Sequence, residues 1–261
     1  MGFALPEGLP PGRFVSSGFA CVWVADELPS DVDGVWRPLL RGQEGTGLVP
    51  LLGGAFLGRP TDLAEISAVR LENVLASDFA EYRRRRLSWW TDPTPVPVPV
   101  PEGIAPWPHD PGPPFETWPG LAPATPVADA YPSPADAAAR TIGHLIATNP
   151  YRLAGCSLVL VPAQHSADIP ALLGWNAEAP LPLVCALLRS WEERFGARVV
   201  GMGGELFVSV ARPPRTAAHA NLLALEHVLS TADNIVDDPP TPFPAYARSL
   251  PQRTHWSFWW D

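Results

Sequence analysis

The chain has 261 residues, 46% of them hydrophobic, with a formal net charge of −9 and a pI near 5.1. That is enough apolar material for one large core or two small ones, and the acidic balance argues against general affinity for nucleic-acid backbones or anionic lipid, which draws on a surplus of cations. All 18 basic residues are arginine, which excludes, as self-contained activities, Schiff-base chemistry, pyridoxal phosphate attachment, a Walker-type phosphate loop and a protein-kinase core, since each needs a lysine amine.

In chain order, the amino terminus has no basic region leading into an apolar core, so no signal peptide is expected. No apolar run approaches the roughly 20 residues that cross a bilayer. Residues 19–24 (FACVWV) read as a buried strand. An acidic, proline-punctuated segment then leads into a short helix carrying Val35, Trp36, Leu39 and Leu40, and Gly45-Thr46-Gly47 turns the chain into a second strand at 48–52. Residues 63–90 read as mostly helical, with Leu71, Val74, Leu75, Phe79 and Tyr82 as an apolar stripe. Arg83 to Arg86 close that helix as a solvated basic end rather than as a nucleic-acid surface.

Residues 93–134 break the composition: 15 of these 42 residues are proline. The first part, PTPVPVPVP, can form neither helix nor regular ladder and is expected to be a stiff polyproline II spacer. Phe115, Trp118 and Leu121 have no use in a free linker and are expected to pack on the second half. The expected organisation is therefore an N-terminal α/β region at 1–92, a proline-rich linker at 93–114 and a C-terminal domain at 115–261.

Ser133 offers a helix N-cap ahead of Pro134, with helix expected until Pro150. A strand follows at 158–161, then a short helix ending at Gly174. The strongest folding signal is 182–211. Leu183, Ala186, Leu187, Ser190, Trp191 and Arg194 recur at helical spacing, with Arg189, Glu192 and Glu193 facing out, and Gly196 suits a left-handed C-terminal cap. Two strand-forming runs, 198–202 and 205–211, meet across Gly203-Gly204, a pair able to take the positive φ of a tight hairpin. Thr216 can cap a helix over 217–229, Asp233-Asn234 is expected to end it in a turn, a last short helix covers 243–250, and WSFWWD closes the chain as a strand that seals the core. The expected fold class is α+β, an α/β sandwich, with a small N-terminal α/β layer plus a C-terminal mixed sheet whose β-hairpin is packed by helices.

The order TGLVPLL at Thr46, WPGLAPA at Trp118, LVPA at Leu160, RSWEERFGARVVG at Arg189, VARPP at Val210, EH at Glu226, DNI at Asp233 and the terminal WSFWWD resembles a bacterial domain-of-unknown-function family, number 4253. The family has no established activity, so the resemblance implies a shared fold and says nothing of catalysis. Relatives often carry phenylalanines and a cysteine after the EH pair, where this chain has VLSTADN.

The six histidines are scattered without an HExxH pattern, so no metal site and no cofactor are expected, although Glu226, His227 and Asp233 could meet in space. Cys21, Cys156 and Cys185 lie in apolar runs without a CxxC and read as small hydrophobes in a reducing cytoplasm. Acid–base candidates are Glu192, Glu226, His227, Asp233 and Asn234, because a carboxylate facing an imidazole can tune both toward neutral pH. Trp191, Arg194, Trp259 and Asp261 are the candidate binding residues. The preferred function is a non-catalytic binding, adaptor or immunity-like module with a protein partner, without nucleic acid or membrane. The alternative is a metal-independent hydrolase-like or transferase-like enzyme using a Glu/His pair.

Overall fold

The computed structural model describes residues 2–17, 19–54, 58–92, 108–148, 153, 155–175, 178–236 and 242–260. Seven strands, β1 (Gly12–Ser16), β2 (Cys21–Ala25), β3 (Leu48–Gly53), β4 (Ser157–Pro162), β5 (Arg198–Met202), β6 (Leu206–Ser209) and β7 (His255–Phe258), form one mixed sheet in the order β1-β2-β4-β3-β5-β6-β7. Only β3 and β5 run parallel; the other neighbours are antiparallel. With the nine α-helices among the described residues, this is an α+β fold.

Both faces of the sheet are covered, because side chains on successive residues point to opposite sides. Val159 and Val161 of β4 join one core with Val49, Leu51, Val199 and Val208, while Leu158 and Leu160 join the other with Leu48, Leu52 and Trp23. The first face carries α3 (Leu71–Thr91), α6 (Leu181–Phe195), α7 (Ala217–Leu229) and α9 (Phe243–Ser249). The second carries a π-helical turn at Val32–Trp36, α1 (Arg37–Thr46) and α4 (Pro134–Thr148). Near-continuous apolar runs such as SLVLVP are what a strand buried on both faces requires.

The expected small N-terminal layer is not a sheet of its own. β3 sits between β4 and β5, pairing with β4 from Leu48↔Pro162 to Gly53↔Ser157 and with β5 at Leu52↔Gly201. β2 pairs on the far side of β4. Strand order is set by contacts more than a hundred residues apart, which no local pattern encodes. β1 was not expected; it is short, exposed and built from GRFVS. The stretch 93–107, including the expected polyproline spacer, lies outside the described residues. Beyond it Phe115, Trp118 and Leu121 pack against the first core, which both halves of the chain build, and not on the second half alone: Trp118 Nε1 donates to Glu72 at 2.8 Å and its ring lies 6.5 Å from Phe79. The arginine run is engaged locally: Arg84 and Arg85 pair with Glu81, and Arg83 donates to the Glu116 carbonyl at 3.1 Å.

Helix α6 ends as its sequence demands. Gly196 takes φ 59°, and a Cβ there would lie 2.7 Å from the Arg212 guanidinium. The hairpin β5–β6 forms, but neither Gly203 nor Gly204 adopts positive φ; a bulge between Val199 and Gly201 adjusts its register instead. Thr216 accepts a hydrogen bond from His219 N and starts α7 where expected. Asp233-Asn234 does not end that helix. Leu229 does, Thr231 then takes φ 64°, and Asp233 opens the short helix α8 (Asp233–Val236).

Candidate functional site

Helix α7 carries Glu226-His227 into the interior, and both residues are 0% exposed. The residues around them, from Leu223 to Leu229, are buried as well. The Glu226 carboxylate accepts from Ala122 N at 2.7 Å, from Trp191 Nε1 at 2.8 Å and from both terminal nitrogens of Arg194 at 2.8 and 2.6 Å. Arg194 also donates to the Ala122 carbonyl at 2.6 Å, and its own carbonyl accepts from Thr125 N at 3.0 Å. One carboxylate thereby fastens α6, α7 and the segment at 122–125. A bidentate, fully hydrogen-bonded pair is the form in which a charge can be kept inside.

These contacts correct three sequence-based assignments. Trp191 and Arg194 are not surface recognition residues, because the indole is buried and the guanidinium, 13% exposed, is committed to Glu226. Glu226 is not an open acid–base group. His227 does not face Glu192 either. Its Nδ1 meets the Tyr246 hydroxyl at 2.7 Å, and its ring lies edge-on to Trp191, Trp256 and Phe258 at 4.8, 4.5 and 5.1 Å. Burial, with Arg253 and Arg194 adding positive potential, holds this imidazole well below its usual pKa and hence neutral.

Asn234 and Asp233 serve the outer edge of β7. Asn234 donates to the Ser257 carbonyl at 2.9 Å and accepts from Trp259 N at 3.2 Å, while Asp233 N donates to the Trp259 carbonyl at 2.9 Å. The amide side chain thus satisfies backbone groups that an edge strand would expose. Trp256, Phe258 and Trp260 are buried, as a core-sealing strand requires. Trp259 is half-buried and lines a pocket of about 270 Å³ with Cys156, Met202 and Phe207. Asp261 lies outside the described residues.

Glu192 stands apart from this interior cluster. It faces a cleft of about 700 Å³ bordered by Leu63, Gln164, His165, Asp168, Arg189 and Glu193. Its Oε2 lies 3.2 Å from His165 Nδ1, and its Oε1 accepts from the Ser166 hydroxyl and, at 3.1 Å, from Ala167 N. Because a carboxylate only accepts, Nδ1 of His165 is the donor in this contact. The His165 side chain is 55% exposed. Ser166 is buried, and its oxygen also accepts from Val199 N at 3.0 Å, so this hydroxyl is structural rather than a nucleophile. Asp168 receives Arg189 Nε at 2.6 Å, and Arg189 also reaches Ser67 at 3.2 Å.

Residues 157–261 match the model of the family described as Domain of unknown function (DUF4253). This segment is a DUF4253 domain. No curated protein and no solved structure matches the chain. The DUF4253 domain supplies every candidate residue named from the sequence, yet it is completed from outside: β3 fills the gap between its β4 and β5, Ala122 supplies a donor to Glu226, and Leu63 borders the cleft. Sequence reasoning missed His165, Asp168 and Arg189 as neighbours of Glu192. The His165–Glu192 contact spans 27 residues and carries no spacing signal. A signal for the interior pair was present, since LLALEHVL is apolar on all sides and a polar pair in such a helix must be buried with partners. Among the described residues no group of three or more His, Cys, Asp and Glu could hold a metal ion, and no helix is long and apolar enough to cross a membrane.

Proposed function

We propose that the protein is a non-catalytic binding module of the adaptor or immunity-like kind, and that the cleft between α5 (Ile169–Leu172) and α6 receives a basic segment of a protein partner in the cytoplasm. One observation carries this reading: the cleft gathers Asp168, Glu192 and Glu193 against the single guanidinium of Arg189, so it presents surplus negative charge beside apolar Leu63 and Leu172. An arginine or lysine of a partner complements that lining, and charge complementarity of this kind governs encounter and specificity. The three cysteines are free thiols, in keeping with a reducing compartment.

A second reading keeps the Glu/His chemistry but exchanges its imidazole. Glu192 orients His165, whose exposed Nε2 side could take a proton from a substrate in a hydrolase-like or transferase-like reaction. The binding reading needs no further group, whereas Ser166, the hydroxyl nearest this pair, is buried and fully engaged.

The test is calorimetric titration with hexa-arginine and hexa-glutamate peptides. Wild type is expected to bind the first and not the second. Glu193→Lys, which reverses an exposed charge at the rim, should weaken hexa-arginine binding at least tenfold, while Asp129→Lys, the same reversal on an exposed residue outside the cleft lining, should leave it within about twofold. Equal losses in the two variants, or no binding by wild type, would remove the cleft as the recognition site.

A further inference from the structure

The second face of the sheet holds a pair of side chains that neither core nor cleft uses. His144, exposed on α4, and His255, half-buried at the start of β7, bring their rings to 5.4 Å between centroids with a 45° tilt. Nδ1 of His255 is shielded from solvent and makes no hydrogen bond among the described residues. Protein atoms leave no room for a water or an ion against that nitrogen, so Nε2 is the atom of His255 that a ligand can reach.

From this geometry we propose that His144 and His255 form a two-imidazole site for a borderline-soft divalent cation, Zn²⁺, Ni²⁺ or Cu²⁺, with water completing the coordination. Two imidazoles sharing one tetrahedral ion at metal–nitrogen distances of about 2.0–2.1 Å have ring centres about 5 Å apart, close to the separation found here. Imidazole suits these ions and not Ca²⁺ or Mg²⁺, which select oxygen. Binding requires neutral rings, and burial, with His144 and Arg253 adding to it, already disfavours the charged form of His255. The Arg253 guanidinium is itself occupied: it lies over the Tyr246 ring at 5.2 Å and donates to Ser249 Oγ at 2.9 Å. The backbone around the pair is also fixed, since Thr141 of α4 donates to the Thr254 carbonyl at 3.4 Å. A cation there would clamp α4 to the closing strand.

The site is tested by calorimetry on chelator-treated full-length protein with ZnCl₂ and CaCl₂ at pH 7.5. One Zn²⁺ is expected to bind with no response to Ca²⁺, and His144→Ala and His255→Gln should each weaken that binding at least tenfold. His144 is exposed, so its variant decides the matter alone if His255→Gln does not fold. Undiminished Zn²⁺ binding in His144→Ala, no binding by wild type at millimolar Zn²⁺, or equal responses to Zn²⁺ and Ca²⁺ would each overturn the assignment.

Discussion

Glu226→Gln is expected to lower the free energy of unfolding by about 3–5 kcal/mol, the cost of breaking a buried ion pair by removing one partner. Four donors converge on this carboxylate: Ala122 N, Trp191 Nε1 and two nitrogens of Arg194. A glutamine presents one acceptor and one NH₂ in place of two acceptors, so whichever way it turns, a donor faces a donor. Arg194 then keeps its charge inside without a counter-ion. Urea titration reads the change as a lower midpoint at unchanged slope. Glu193→Gln, on the exposed side of α6, should move the midpoint by no more than about 0.5 kcal/mol equivalent. Replacing both partners, Arg194→Met with Glu226→Leu, should recover only part of the loss, because Trp191 Nε1 and Ala122 N still lose their acceptor. A loss below about 1 kcal/mol in Glu226→Gln would mean the carboxylate is not the joint that holds α6, α7 and residues 122–125 together.

That joint also shows where sequence reasoning stops. Helix α6, its Gly196 cap, the β5–β6 hairpin and the Thr216 cap of α7 are legible because each rests on interactions within a few residues. The all-round apolar run LLALEHVL signals that Glu226-His227 is buried, but not what it meets there. Its partners, Arg194, Trp191, Ala122 and Tyr246, come from other elements, so no spacing within α7 names them. The placement of β3 between β4 and β5 is equally illegible. LVPLLG reads as a strand from its residues, but which strands flank it depends on a pairing between residues 48–53 and 157–162 that no local pattern records. For Glu192 the sequence placed the residue correctly on an outward face and named the wrong imidazole, because His165 enters from a different element.

Acid should destabilise the fold before its carboxylates titrate, and His227 is the principal reason. An unfolded histidine titrates near pH 6.5, whereas in the folded chain burial first, then Arg253 and Arg194, hold His227 well below that value. Between those two values the unfolded chain binds a proton that the folded chain refuses. Stability therefore rises with pH across the window, is complete above about pH 7, and is lost at up to about 1.4 kcal/mol per pH unit as pH falls below 6.5. His219 and His255 are shifted the same way by burial and add to the slope. The groups packed on His227 offer a proton on the imidazole little compensation: Trp191, Trp256 and Phe258 are aromatic, burial keeps the Tyr246 phenol neutral by pushing its pKa up, and the neighbouring Glu226 is already committed to Arg194. Urea unfolding at pH 7.5 and pH 5 should show a clear loss for wild type and a smaller one for His227→Gln, which keeps a polar group near Tyr246 but cannot titrate. If the two proteins lose the same amount, the acid sensitivity belongs to other groups and His227 is not the neutral imidazole at the centre of the core.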